Sequence, residues 1–85
     1  MNNKVLVKLN VPEIDKTFDI FIPVNEVVWK IKKMLVKCVN DLTGLTLKDG
    51  EYLLIRNDNG MIYKNNDIVI DTDIRNDSEL LLVSK

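Results

Sequence analysis

The sequence predicts one small α+β domain in which a single helix packs on one face of a sheet. Two segments near the start alternate apolar and polar side chains, which is the period of a strand with one face on a core. A segment with helical period follows, and short segments rich in strand formers come after it. With 85 residues, 46% hydrophobic residues and a net charge of −1, the chain has material for one core and for no second domain.

The first two predicted strands form a hairpin. Their inward-facing residues are Val5, Val7, Leu9 and Val11 in the first strand and Phe18, Ile20 and Ile22 in the second. The residues between these positions face away from the core. The segment that joins the two strands contains Pro12 and Asp15, and both residue types favour turns.

A helix is predicted after the hairpin. Asn25 is suited to cap its first free amides, and Gly44 is placed where a left-handed residue ends a helix. Leu45 is then expected to fold back on Val39 as the apolar contact that accompanies such an end. The predicted core-facing arc of the helix contains Val27, Val28, Ile31, Met34, Leu35, Cys38, Val39 and Leu42.

Three short strands are predicted in the remaining sequence. The third strand covers 52–56 with Leu54 inward, after a turn at Lys48-Asp49-Gly50. The Asn59-Gly60 pair is a strong hairpin signal that leads to a fourth strand at 61–63. An apolar piece at 68–70 precedes the last strand at 79–83.

The residue inventory argues against an enzyme and against a bound cofactor or metal. No histidine is present, so serine–histidine and cysteine–histidine arrangements are excluded. Cys38 is expected to be a core residue of the helix. A calcium loop that began at Asp71 would need an oxygen ligand at its fifth position, glycine at its sixth and glutamate at its twelfth. The sequence has Arg75, Asn76 and Leu82 at these positions, so it does not match a calcium loop. The glycines are scattered singly, which does not fit a phosphate-binding loop.

The sequence also predicts a location. Residues 1–4 are not followed by the apolar run of a signal peptide, and no apolar stretch approaches the roughly 20 residues that span a bilayer. We therefore expect a cytoplasmic protein without direct membrane insertion. The net charge of −1 gives no attraction for nucleic acid.

Apolar residues on the outer face of the sheet are the first candidate site for a protein partner. The strand alternation predicts that six apolar side chains point outward: Leu6, Phe21, Leu53, Ile55, Leu81 and Val83. Outer faces of such sheets normally carry polar residues. Neighbouring apolar side chains on adjacent strands would form a patch of the kind that marks a partner site.

Trp29 and Val36 are the second candidate. Helical spacing places Trp29 opposite the core arc, with Val36 one heptad later. An exposed tryptophan is a candidate anchor for a partner. The alternative is that Trp29 packs on Val24 as a hydrophobic staple at the start of the helix. The lysines of this helix, at 30, 32, 33 and 37, are typical of a solvated face.

The order of elements resembles the β-grasp fold of ubiquitin. The similarity runs from about Lys4 to Val83: residues 5–8 resemble the first strand of that family and residues 77–83 its last strand. The resemblance implies a mixed five-stranded sheet of order 2-1-5-3-4 with one helix on one face. It also places Leu6, Ile55, Leu81 and Val83 on the face that ubiquitin uses to meet most partners. Because the last residues here are Val83-Ser84-Lys85 instead of Gly-Gly, we expect no conjugation.

Among relatives that lack the diglycine, the chain resembles the YukD/EsaB-like small proteins of Gram-positive type VII secretion. The resemblance rests on the length, the apolar alternating first strand and the missing diglycine. It implies a non-enzymatic accessory or regulatory component in the cytoplasm. Such a component would lie at the inner face of the membrane through a partner, such as a membrane-associated secretion ATPase.

Two alternatives remain open at the level of the sequence. One is a PB1-like module that self-associates weakly, with Lys8 of one copy pairing with Asp71 and Asp73 of the next. Its assembly would weaken with salt. The other is a small β-grasp subunit of a multicomponent enzyme, which would share the fold and the docking face.

Overall fold

The computed structural model describes residues 3–48 and 50–85 of the chain. Met1, Asn2 and Asp49, the middle residue of the turn predicted at 48–50, lie outside the described residues. The elements are β1 (Lys4–Val11), β2 (Lys16–Pro23), α1 (Val28–Thr43), β3 (Tyr52–Arg56) and β4 (Glu79–Ser84), with short 3-10 helices at Pro12–Ile14 and Val69–Asp71.

The described strands form one mixed sheet in the order β2-β1-β4-β3. β1 pairs antiparallel with β2, and β3 pairs antiparallel with β4. β1 and β4 run parallel, with Leu9 opposite Leu80. The predicted order of these strands is confirmed, and the first and last strands lie at the centre of the sheet.

The predicted fourth strand at 61–63 is reduced to a single bridge, so the sheet has four strands among the described residues instead of five. Ile62 bridges Ile55 on β3. The amide of Tyr63 donates to the carbonyl of Leu54 at 2.9 Å. The chain then leaves the sheet because the next residues bond to the start of the helix.

α1 begins at Val28, three residues later than the cap predicted at Asn25. Its N-cap is Val27, whose side chain makes no capping hydrogen bond. Carbonyls from a distant segment satisfy the first amides instead. The amides of Val28 and of the next residue donate to the carbonyls of Asp67 and Asn65, at 2.9 and 3.2 Å. Tertiary hydrogen bonds therefore satisfy the first amides of α1, and no capping side chain does so.

The end of α1 confirms one prediction and corrects two. Gly44 has a φ of 70° and its amide donates to the carbonyl of Asn40 at 2.9 Å, as expected for a left-handed cap. Leu45, however, is 48% exposed. Leu47 is buried in its place, and its amide donates to the side-chain oxygen of Asn40 at 2.8 Å. Leu42, which was predicted to face the core, is exposed.

The core lies between α1 and the inner face of the sheet. Its buried strand and helix residues are Val7, Leu9, Val11, Ile20, Ile22, Val28, Ile31, Leu35, Val39, Tyr52, Leu54, Leu80 and Leu82. Val5, Phe18, Met34 and Cys38 are partly buried and pack against this core. None of the helices in the described part of the chain has the length and apolarity that crossing a membrane requires.

Candidate functional site

Five apolar residues form one cluster on the outer face of the sheet: Leu53, Ile55, Ile62, Leu81 and Val83. We call them the outer cluster. Ile55 lies opposite Leu81, and Leu53 lies opposite Val83. Ile62 faces Ile55 from the other side. Directly opposite residues place their Cβ atoms about 4.5–5.5 Å apart, so these side chains are contiguous across three segments of chain.

The outward orientation of this cluster follows from the burial of its neighbours. Leu80 and Leu82 are 0% exposed, whereas Leu81 between them is half-buried. Leu54 is buried between the half-buried Leu53 and Ile55. Successive residues of a strand point to opposite faces. The predicted outward facing of Leu81, Leu53 and Ile55 is therefore confirmed.

Leu6 and Phe21 form a separate apolar pair at the other end of the same face. They lie directly opposite each other on β1 and β2, and Phe21 is 57% exposed. Two residues further along β1, Lys8 lies opposite both Asp19 and Glu79. This polar row separates the Leu6–Phe21 pair from the outer cluster. The outward residues predicted from the sequence thus form two apolar areas and not one continuous patch.

Ile62 is the member of the outer cluster that the sequence reasoning missed. It is 52% exposed, and the preceding Met61 is 42% exposed. The signal was present: a strand predicted at 61–63 with Tyr63 turned inward would place Ile62 outward by alternation. Tyr63 is indeed 5% exposed.

A polar network fixes the loop that carries Ile62. The guanidinium of Arg56 contacts Asp58 through Nε at 2.8 Å and Asp73 through Nη1 at 2.6 Å. The hydroxyl of Tyr63 donates to Asp73 at 2.7 Å. Because Arg56 and Tyr63 directly follow Ile55 and Ile62 along the chain, the network holds both sides of the bridge. It gives the outer cluster a fixed edge.

Charges in this network suit a structural role. The carboxylate of Asp58, followed by that of Asp73, raises the pKa of Arg56. Burial of the phenol, followed by its hydrogen bond to Asp73, raises the pKa of Tyr63 well above the ordinary range for tyrosine. Arg56 therefore remains charged and Tyr63 remains protonated at neutral pH. Neither group is poised to exchange a proton with a substrate.

Trp29 and Val36 lie on a different surface. Trp29 is 40% exposed, and Val36 is half-buried against the core. With the N-cap at Val27, Trp29 is the second residue of the helix, and a hydrophobic staple would join Glu26 to Ile31 instead. The structure therefore does not place Val24 and Trp29 at the two positions that define a hydrophobic staple. Trp29 and Val36 both line a cavity of about 350 Å³ beside β3.

The residues proposed for PB1-like assembly are partly engaged within the chain. Both carboxylate oxygens of Asp73 accept hydrogen bonds, from Arg56 and from Tyr63. Lys8 lies in register with Asp19 on β2 and with Glu79 on β4. Asp71 is exposed.

Comparisons with solved structures relate this fold to known domains. The EccD5 ubiquitin-like domain from Mycobacterium xenopi superposes with a TM-score of 0.80 at 16% identity, covering 95% of this chain and 93% of that one. A chain of the MycP5-free ESX-5 inner membrane complex gives a TM-score of 0.81 at 16% identity. That match covers 95% of this chain and 21% of the other, so this protein spans about a fifth of that chain.

A third solved structure comes from an enzyme complex. A chain of the toluene 4-monooxygenase HD complex gives a TM-score of 0.79 at 8% identity, covering 96% of this chain and 99% of that one. No protein-family model matches the sequence, and comparison with curated proteins finds no relative. The chain has the ubiquitin-like β-grasp fold. Its structural neighbours include a ubiquitin-like domain from a mycobacterial type VII secretion system.

Proposed function

We propose that the protein is a non-enzymatic binding module that serves as an accessory component of a type VII secretion system. In this role it resembles the YukD/EsaB-like proteins, and it acts in the cytoplasm at the inner face of the membrane. Its partner is a protein of the secretion complex, such as the membrane-associated ATPase. The outer cluster is the docking site.

The observation that carries this proposal is the outer cluster itself. A sheet face open to water normally carries polar residues, yet here five apolar side chains are contiguous on it. The Arg56 network holds one edge of the cluster in place, so the surface is formed before a partner arrives. Surfaces of this kind lose little conformational freedom on binding.

The comparisons support the secretion setting. The matches to the EccD5 domain and to a chain of the ESX-5 inner membrane complex have TM-scores of 0.80 and 0.81. Both matches belong to components of a mycobacterial type VII secretion system. We infer that this chain supplies a domain of the same shape to such a complex.

A second candidate function is a small subunit of a multicomponent enzyme. The toluene 4-monooxygenase match supports it, because it covers nearly the whole of a chain of similar length. The subunit would still dock through the outer cluster and would not catalyse the reaction itself. The identity of the partner therefore distinguishes the two candidates.

The test is affinity capture from detergent-solubilised membranes of the source organism, with bound proteins identified by mass spectrometry. Wild type is compared with Leu81→Asp, which places a charge in the outer cluster, and with Leu45→Asp, a matched change on the exposed turn after α1. Circular dichroism first shows that both variants remain folded. We expect a secretion component to be retained by wild type and Leu45→Asp and lost by Leu81→Asp.

Other outcomes redirect or reject the proposal. Oxygenase subunits in the wild-type sample would favour the second candidate. Capture of the protein alone, weakened by salt, would favour PB1-like assembly. Retention of the secretion component by Leu81→Asp would show that the outer cluster is not the docking site.

A further inference from the structure

A groove on the helix side of the molecule forms a concave surface, on the opposite side of the sheet from the outer cluster. One wall is a stripe of α1 that includes Trp29, Lys33 and Val36. Residues at these spacings lie on one face of a helix. The other wall includes Lys48 and Tyr52. The cavity between the walls has a volume of about 350 Å³.

The groove combines an aromatic wall with a basic rim. The ammonium of Lys33 lies 5.4 Å from the centre of the Trp29 ring. The described residues that line the groove include three lysines and one carboxylate, that of Glu51. The carboxylate of Glu51 is itself within 3.2 Å of the ammonium of Lys85. The described rim therefore favours a ligand with negative charge.

The edge of β3 is closed to an incoming strand at this groove. The ammonium of Lys32 donates to the carbonyl of Tyr52 at 2.7 Å. Burial lowers the pKa of Lys32, which agrees with a side chain held against the protein. Further along β3, residues 61–63 bond to the carbonyl of Leu54 and the amide of Arg56. A ligand must therefore enter the groove with side chains and not by adding a strand.

We propose that this groove binds an acidic peptide segment that inserts one apolar or aromatic side chain against Trp29. Carboxylates on either side of that side chain contact Lys33 and Lys48. The cavity volume of about 350 Å³ lies within the range of sites that enclose a ligand group, about 300–1,000 Å³. A concave site suits a projecting side chain, whereas a flat membrane surface would not fill it. This site is independent of the outer cluster.

The test uses a random-peptide display library selected on the purified protein. Selected peptides are then synthesised with a fluorescein label, and their binding is measured by anisotropy. We expect enriched peptides to carry Asp or Glu on both sides of an apolar residue. Because Trp29 is the one tryptophan of the chain, the unlabelled peptides should also change its emission on binding.

Charge-reversal variants localise the site. Lys33→Glu and Lys48→Glu should each weaken binding about tenfold, as expected for loss of close charge pairs. Lys37→Glu is the matched control, because Lys37 is exposed on the same helix and does not line the groove; its effect should stay below about threefold. Trp29→Ala should abolish binding. Leu81→Asp should leave it unchanged, which separates this site from the outer cluster.

Several results would overturn the inference. Equal effects of Lys33→Glu and Lys37→Glu would show general charge attraction, and loss of binding in Leu81→Asp would move the site to the outer cluster. Enrichment of peptides without acidic residues, or no enrichment at all, would reject an acidic segment as the ligand. A change in Trp29 emission with phosphatidylglycerol vesicles, in the absence of peptide selection, would assign the groove to membranes.

Discussion

Adjacent residues of β4 allow the two faces of the sheet to be tested with one kind of substitution. Leu82 is 0% exposed and lies opposite Leu54 in the core, whereas Leu81 is half-buried on the outer face opposite Ile55. Leu82→Ala and Leu81→Ala remove the same atoms from the same strand. Both variants therefore change intrinsic strand preference by the same amount. The difference between their free energies of unfolding then reflects the different burial of the two leucines.

The expected magnitudes differ several-fold. Replacing a fully buried leucine by alanine costs about 2–5 kcal/mol, since it loses the transfer free energy and leaves a cavity. For Leu82→Ala we expect a loss of about 3 kcal/mol. Leu81→Ala mainly loses a cross-strand pair with Ile55, which is worth about 0.2–1 kcal/mol. In a domain of this size each kcal/mol lowers the melting temperature by about 4–8 °C.

The assay is thermal and urea unfolding followed by circular dichroism at neutral pH. Leu82→Ala should lower the melting temperature by about 12–24 °C, and Leu81→Ala by less than about 8 °C. The urea dependence of the free energy of unfolding should be unchanged if both variants keep the same fold. Equal losses, or a larger loss for Leu81→Ala, would refute the assigned facing of β4 and with it the outer cluster.

Three further predictions concern the ends of elements and the polar network. Gly44→Ala should cost about 1 kcal/mol in thermal unfolding, because Gly44 has a φ of 70°. Apart from Gly44 and its chain neighbours, the described residues place no atom within 4 Å of the added Cβ, so a much larger loss would show that backbone conformation is not the cause. Tyr63→Phe should cost about 1 kcal/mol through loss of the hydrogen bond to Asp73, and an unchanged free energy of unfolding would show that water replaces it. The raised pKa of Tyr63 means that the folded chain keeps a proton that the unfolded chain releases above about pH 10. The stability that this group contributes is fully present below that pH and is lost as the pH rises further. Tyr63→Phe should therefore reduce the fall in the free energy of unfolding at alkaline pH. Identical pH profiles of stability for wild type and variant would contradict this account.

Local patterns predicted most of the fold. Alternation in β1, β2 and β4 correctly assigned the buried residues, such as Leu9, Ile22 and Leu82. Gly44 marked the end of the helix because a left-handed residue leaves a clear local signal. These features depend on neighbours in the chain, which the sequence displays directly.

The errors arose where distant segments decide local structure. Asn25 has the chemistry of a cap, but the carbonyls of Asn65 and Asp67 already satisfy the first amides of α1. The same bonds draw the chain away from β3 after Tyr63, which shortens the predicted fourth strand to one bridge. No local pattern reports a hydrogen bond between residues 28 and 67.

The candidate sites were predicted in part. Leu81, Val83 and Ile55 were assigned to the outer face by alternation, and their register makes them neighbours. The gap between them and Leu6 depends on the offset between β1 and β4, which places Lys8 opposite Glu79. That offset belongs to a pairing between opposite ends of the chain. The groove beside Trp29 likewise needs the distance between α1 and β3, which the sequence does not state.

The central position of β4 has a consequence for synthesis on the ribosome. β1, β2 and α1 are made first, but β1 lacks its second neighbour until residues 79–84 have emerged. Until then the side of β1 that will pair with β4 presents open backbone groups, and α1 lacks the carbonyls of Asn65 and Asp67. A nascent chain that has not yet reached residue 79 therefore exposes a template for strand pairing on β1, and the native order β2-β1-β4-β3 can form only after residues 79–84 have emerged.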